Sequence, residues 1–138
     1  MSEIDYTLSP IGFIRSPLTQ RADAPRHARA GAPDAWLEVD AAVAEGLEGI
    51  SVGQEVILIT WLHQARRDTL KVRPRGDMTR PLVGVFATRS PDRPNPLGLH
   101  RVTVLAIEGL RVKVGPIEAI DGTPVVDIKP AHTRSADA

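Results

Sequence analysis

The sequence predicts a small, mainly β protein: an antiparallel β-barrel with long loops and one short helix. Three observations carry that expectation. Seven short segments, 9–15, 36–39, 55–62, 82–88, 99–107, 110–116 and 125–128, are rich in apolar and β-branched residues. Turn signals divide them, among them Glu108-Gly109, Asp121-Gly122 and a proline–asparagine loop at 91–96. The segments do not alternate with helical patterns as βαβ units, which leaves a barrel or a sandwich rather than a parallel sheet.

The elements follow in chain order. Segment 9–15 ends in Phe13-Ile14-Arg15, and 36–39 opens on Trp36. Asp40 then stands where it caps a helix over 41–47, in which Val43 and Leu47 share a face. Segment 55–62 is strongly apolar and ends in Trp61-Leu62, just before His63 and Gln64. Segment 82–88 runs straight into the proline-rich loop. Segments 99–107 and 110–116 read as a tight hairpin, with Val102, Val104 and Ala106 on one face and Thr103, Leu105 and Ile107 on the other. Both faces are largely apolar, so this strand is expected against covering structure or a second copy of the chain. The longest loops, 21–34 and 65–80, have the length at which loops are often functional.

Composition narrows the class. A chain of 138 residues fits one domain, 1–138, and a domain of that size buries about two thirds of its unfolded surface. No apolar stretch approaches the ~20 residues that span a bilayer. The first residues carry Glu3 and Asp5 and lack a signal peptide's basic and apolar regions. Cysteine is absent, so there is no disulfide framework and no thiolate chemistry. A cytoplasmic protein is the expectation. Net charge is zero but uneven: nine basic residues against three acidic ones lie between Thr60 and Arg101. That asymmetry fits a surface for an anionic partner, or a set of solvated arginine loops. The aromatic residues Tyr6, Phe13, Trp36, Trp61 and Phe86 are too few for a platform stacking single-stranded bases.

The densest chemical signal is the run from Val83 to Gly98, where an apolar segment enters a loop holding Arg89, Ser90, Arg93, Asn95 and three prolines. Proline fixes φ and restricts the residue before it. A loop stiffened this way has little ordering entropy left to lose on binding. The alternative is a proline-rich hairpin with solvated arginines. A second cluster is Asp121-Gly122-Thr123-Pro124-Val125-Val126-Asp127-Ile128-Lys129-Pro130. There Asp121 opens a turn, and Asp127 and Lys129, two apart, share a strand face, either at a pocket or as a salt-linked sheet edge. His63 at a strand end is a candidate base or hydrogen-bond donor, or a structural histidine. His27, His63, His100 and His132 have no metal-ligand spacing. Neither a P-loop, nor a dinucleotide-binding glycine loop, nor a Gly-x-Ser-x-Gly elbow is present.

Taken together these segments resemble the TsaA-like family, also called TrmO or YaeB-like. The matching pieces are Ile11-Gly12-Phe13-Ile14-Arg15-Ser16-Pro17, Pro25-Arg26, Ala44 to Ile50, Trp61-Leu62-His63-Gln64, Val72-Arg73-Pro74, Gly84 to Gly98 and Asp121 to Pro130. The resemblance implies a small β-barrel that binds S-adenosylmethionine as a homodimer. It also implies methylation of N6 of threonylcarbamoyladenosine beside the anticodon of tRNA. On that reading Phe86, Arg89, Ser90, Arg93, Asn95, Pro96, Gly98, Asp121 and Lys129 hold the cofactor, with help from the partner subunit. Arg26, Gln64 and Arg73 contact the substrate, and Asp127 and His63 are the candidate catalytic residues. Arg89 and Arg93 suit a carboxylate or a phosphate, both of which guanidinium binds bidentately.

The chain departs from the family at several points. Ala131 follows Lys129-Pro130 where an aromatic residue is common, and Pro25-Arg26-His27 replaces Pro-Arg-Gln. Val52-Gly53-Gln54-Glu55 stands where a His-Leu-Trp-like run is familiar. Longer members carry a further C-terminal domain, whose tRNA contacts are not expected here. Two readings therefore stay open beside the methyltransferase: a cofactor-binding regulatory module without transfer, and a plain RNA-binding β-barrel.

Overall fold

The structure, a computed structural model, describes residues 5–24 and 31–132. Strands β1 (Gly12–Arg15), β2 (Ala35–Val39), β3 (Glu55–Trp61), β6 (Leu97–Glu108), β7 (Arg111–Gly115) and β8 (Pro124–Pro130) form one antiparallel sheet. Its order, β1-β2-β7-β6-β3-β8, is that of a closed barrel. Closure is made where β8 pairs back onto β1, Gly12 opposite Val125 and Phe13 opposite Pro124. Two further strands, β4 (Lys71–Val72) and β5 (Val83–Gly84), pair only with each other.

Alternation builds the core. In β2 Ala35, Leu37 and Val39 are buried, and in β3 Val56, Leu58 and Thr60. With Ile14, Val102, Val104, Val112, Val114, Ile117 and Val125 they fill the barrel. The hairpin of β6 and β7 closes at Gly109, whose φ of 60° a side chain rarely adopts. A bulge at Leu105 breaks the expected alternation, because Val104 pairs Val114 and Ala106 already pairs Lys113.

Two expectations are corrected. Segment 82–88 is a strand only at Val83–Gly84, and Val85–Ala87 turns as a 3-10 helix. The run has only the two-residue β4 to pair with, so no ladder extends it. The expected short helix forms over Ala41–Leu47, as 3-10 turns interrupted at Val43, and what is corrected is the face that Val43 and Leu47 were to share. Asp40 does cap the segment, accepting from the Ala42 N–H at 2.9 Å. At three residues per turn, however, i and i+4 part company: Leu47 packs on the core while Val43 is exposed.

Register decides where the loops gather. Arg15 lies opposite Trp36, Ala35 opposite Val114, and Trp61 opposite Leu97. The ends of β1, β3 and β7 and the starts of β2 and β6 therefore share one end of the barrel. The segments around 16–24, 62–70, 85–96 and 116–122 emerge there, and these carry most of the candidate residues.

Candidate functional site

The loop from Thr88 to Pro96 is held by its own side chains. The Thr88 hydroxyl donates to the Val85 carbonyl at 2.9 Å and accepts from the Ser90 N–H at 3.1 Å. Ser90 Oγ accepts in turn from the Asp92 N–H at 3.2 Å. These are serine and threonine turns of the kind that compete with regular ladders. Arg93 points back into the loop, Nη1 donating to the Thr88 and Ser90 carbonyls at 3.1 Å and Nη2 to that of Val85 at 2.9 Å.

Arg89 behaves oppositely. It is exposed, and among the described residues its guanidinium has no partner. Phe86, three residues earlier, is 78% exposed. The loop thus offers an unpaired cation and an open aromatic ring on a frame whose polar groups are already satisfied. Those are suitable donors for a ligand with an anionic end and a flat apolar end. Asn95 is exposed, and Pro96 is buried, its carbonyl accepting from the Leu62 N–H at 2.8 Å.

Gly98 begins the descent into the barrel. A Cβ there would lie 2.5 Å from Thr60 Oγ1 and 2.7 Å from His100 Nε2. Beneath it His100, 5% exposed, bridges Thr60 Oγ1 at 2.7 Å and Glu118 Oε1 at 2.5 Å. The chain thereby ties β3, β6 and the segment after β7 together under the loop. His100 carries no signal of this role in the sequence beyond a polar residue at an inward-facing position of an apolar strand.

The second group lies at the same barrel end. Asp121 Oδ1 accepts from the Ser16 N–H at 2.9 Å, and its own N–H donates to the Leu18 carbonyl at 2.6 Å. Gly122 completes the turn with φ of 82°, and His63 Nε2 lies 4.0 Å from where a Cβ of residue 122 would sit. The structure thus brings His63 to the Asp121 turn. Gln64 is exposed beside it. Arg73 Nη1 instead donates to the Arg80 carbonyl at 2.5 Å, closing its own loop. Arg26 lies outside the described residues.

Asp127 and Lys129 are elsewhere. Both are exposed on the outer wall of β8, where Asp127 pairs Ile59 and Lys129 pairs Ile57. One row crosses three strands as Leu99, Ile59 and Asp127, and the next as Arg101, Ile57 and Lys129. Leu99 is 55% exposed and Leu97 44%, so this wall is apolar in the middle and charged at its rim. Asp127 accepts from the Ile128 N–H at 2.9 Å, and no ion pair joins it to Lys129. A cleft along β6, floored by His100 and Glu118 and flanked by Glu55 and Pro116, is lined by none of residues 86–96.

Of the nine basic residues between 60 and 101, Lys71, Arg75, Arg80 and Arg89 are exposed with no side-chain partner among the described residues. The others fold back. Arg66 pairs Asp68 at 2.9 Å, and Arg67 lies 5.0 Å above the Trp61 ring while donating to the Pro94 carbonyl at 2.8 Å. Among the described residues no group of three or more acidic, histidine or cysteine side chains forms a metal site, and no helix is long and apolar enough to cross a membrane.

Fold and loop together define a small β-barrel domain whose polar loops gather at one end. Its sequence places it more narrowly: the chain belongs to the tRNA-methyltransferase O N-terminal domain family, whose model matches residues 13–138. It is 42% identical over 122 residues to an S-adenosyl-L-methionine-binding protein of Archaeoglobus fulgidus, covering 88% of this chain and 86% of that one. Crystal structures of TrmO are also similar. That from Pseudomonas aeruginosa has a TM-score of 0.74 at 34% identity over 98% of this chain. Another has 0.76 at 37% over 98%. The chain spans 61% and 62% of the lengths of those two proteins.

Proposed function

We propose that this domain binds S-adenosylmethionine and transfers its methyl group, with N6 of threonylcarbamoyladenosine in tRNA as acceptor. The observation that carries the reading is the division of labour in the loop. Arg93 and the hydroxyls of Thr88 and Ser90 build the frame, and Phe86 and Arg89 are left for a ligand. An exposed guanidinium suits the cofactor's carboxylate, an open ring suits its adenine, and similar proteins are named for binding it.

When bound, the cofactor supplies an activated methyl group on a sulfonium, so the protein's task is mainly alignment, worth up to roughly 7–11 kcal/mol. Positive charge fades in the transition state, so a carboxylate against the sulfur would favour the ground state. Asp121, already engaged by the Ser16 N–H, serves better at hydroxyl or amino groups. The acceptor nitrogen loses a proton on methylation, and Asp127 or His63 takes it. On this reading Asn95, Pro96 and Gly98 shape the floor and Gln64 contacts the acceptor, while Arg73 does so only by giving up its bond to the Arg80 carbonyl. The exposed Lys71, Arg75 and Arg80 offer a surface for phosphates.

Asp127 and Lys129 stand on the outer wall, away from the loop of their own chain. A homodimer packed through the Leu97, Leu99 and Ile59 rows would bring one copy's wall to the other copy's loop. It would also cover the exposed leucines. Leu99→Asp then yields monomers in light scattering and loses transfer. An unchanged dimer sinks this arrangement. In a transfer assay with threonylcarbamoyladenosine-containing tRNA, Asp127→Asn keeps cofactor affinity and slows transfer by ~10²-fold. Full activity removes Asp127 from the base role. Cofactor binding with no transfer to any tRNA would favour a binding module instead, as the name of the A. fulgidus relative describes.

A further inference from the structure

We infer that Asp92 and Arg67 are positioning residues that set the pose of the 86–98 loop, and with it the affinity for the cofactor; this rests on the function proposed above. The loop is zipped onto the segment after β3 by contacts these two residues organise. Asp92 Oδ1 accepts from the Arg66 N–H at 2.8 Å, and Oδ2 accepts from the Arg21 guanidinium at 2.6 Å. The Arg93 N–H donates to the Arg66 carbonyl at 3.0 Å, closing a two-way bridge between residues 66 and 92–93. One residue further, Arg67 Nε donates to the Pro94 carbonyl at 2.8 Å and Nη2 to Asn95 Oδ1 at 3.3 Å. The same guanidinium lies 5.0 Å over the Trp61 ring, a second contact that holds it in place.

Asp92 is half-buried, and Arg67, though exposed like Arg89, has the donors it uses here committed to the loop. Their chemistry is that of a brace. A carboxylate ties the Arg21 and Arg66 segments to the loop, and a guanidinium fork spans a proline carbonyl and the neighbouring amide oxygen. The three prolines stiffen the loop internally but do not fix its angle to the barrel; the brace does, together with the backbone bonds of Arg93 to Arg66 and Leu62 to Pro96. Pre-setting that angle lowers the ordering cost of binding. The bonds lie outside the buried core, so the barrel survives their loss.

Calorimetric titration with S-adenosylmethionine, alongside thermal melting, tests this. Asp92→Ala removes both acceptors, Asp92→Asn keeps an oxygen for the Arg66 N–H, and Arg67→Lys removes the fork but keeps the charge. The expected order of affinity loss is Asp92→Ala greater than Asp92→Asn, with about tenfold or more for Asp92→Ala and Arg67→Lys and little change in melting temperature. Emission from Trp61, read in a Trp36→Phe background, should shift with Arg67→Lys, a change that loss of stability alone would not produce. If Asp92→Ala fails to fold, Asp92→Asn and Arg67→Lys carry the same test. Wild-type protein that binds while every folded variant binds within twofold overturns the inference. Wild-type protein that does not bind overturns the proposed function instead.

Discussion

The Arg93 guanidinium donates to the Val85 carbonyl at 2.9 Å, eight residues back along the chain. That oxygen also receives the Thr88 N–H and hydroxyl, at 3.0 and 2.9 Å. Val85 thus becomes the hub on which the strand stops and the loop begins. Removing the guanidinium leaves three carbonyls short of a charged donor. Arg93→Ala should therefore loosen the loop and lower stability by about 1–2 kcal/mol, since the site is only half buried. Cofactor affinity falls with it. Denaturant unfolding checks the first effect and titration the second. Unchanged stability would mean the three bonds contribute nothing net.

Gly98 has no room for a side chain. A methyl at that position meets Thr60 Oγ1 and His100 Nε2 at 2.5 and 2.7 Å. Gly98→Ala is expected to cost about 1–3 kcal/mol through overpacking. A melting temperature within 1 °C of the wild type, by calorimetry at one scan rate, would contradict the close packing.

His100 satisfies two partners that lie on different segments. His100→Ala leaves the fully buried Thr60 hydroxyl without its partner and opens a hole under the loop. We expect a loss of about 2–4 kcal/mol. His100→Gln, which can still reach one partner, should lose less. Equal losses in the two variants would mean that neither the filled volume nor the retained hydrogen bond contributes, and would contradict this account.

Acid should weaken the brace. Burial opposes ionisation of Asp92, but the Arg21 guanidinium and the Arg66 N–H outweigh it and hold the carboxyl below its usual 3.8. A folded-state value below the unfolded one adds stability that is present above the unfolded value and is lost as pH falls through the folded one. The stability difference between wild type and Asp92→Asn should therefore be constant near neutrality and shrink below about pH 4. A difference that grows on acidification would reverse the assigned direction.

Much of the barrel was legible because its signal is local. The run 55–62 alternates only weakly in residue type, yet its length and β-branching were enough, and β3 forms over Glu55–Trp61. The Glu108-Gly109 and Asp121-Gly122 turns fall where glycine is needed at positive φ. What failed was what depends on partners. The 82–88 run is as apolar as a strand, but its only partner is the two-residue β4. At the loop, sequence singled out both Arg89 and Arg93 but had no means to separate them, because one guanidinium finds carbonyls that exist only once the loop has turned. Asp92 and Arg67 carry no such signal for the same reason: their hydrogen bonds across the brace span 26 to 71 residues along the chain.

The most direct test of the account is calorimetric titration of wild type and Arg89→Ala with S-adenosylmethionine. The account predicts binding by the wild type, and for Arg89→Ala an unchanged melting temperature with affinity weakened by about tenfold or more. Equal affinity in the two proteins, or no binding by the wild type at millimolar ligand, would contradict it.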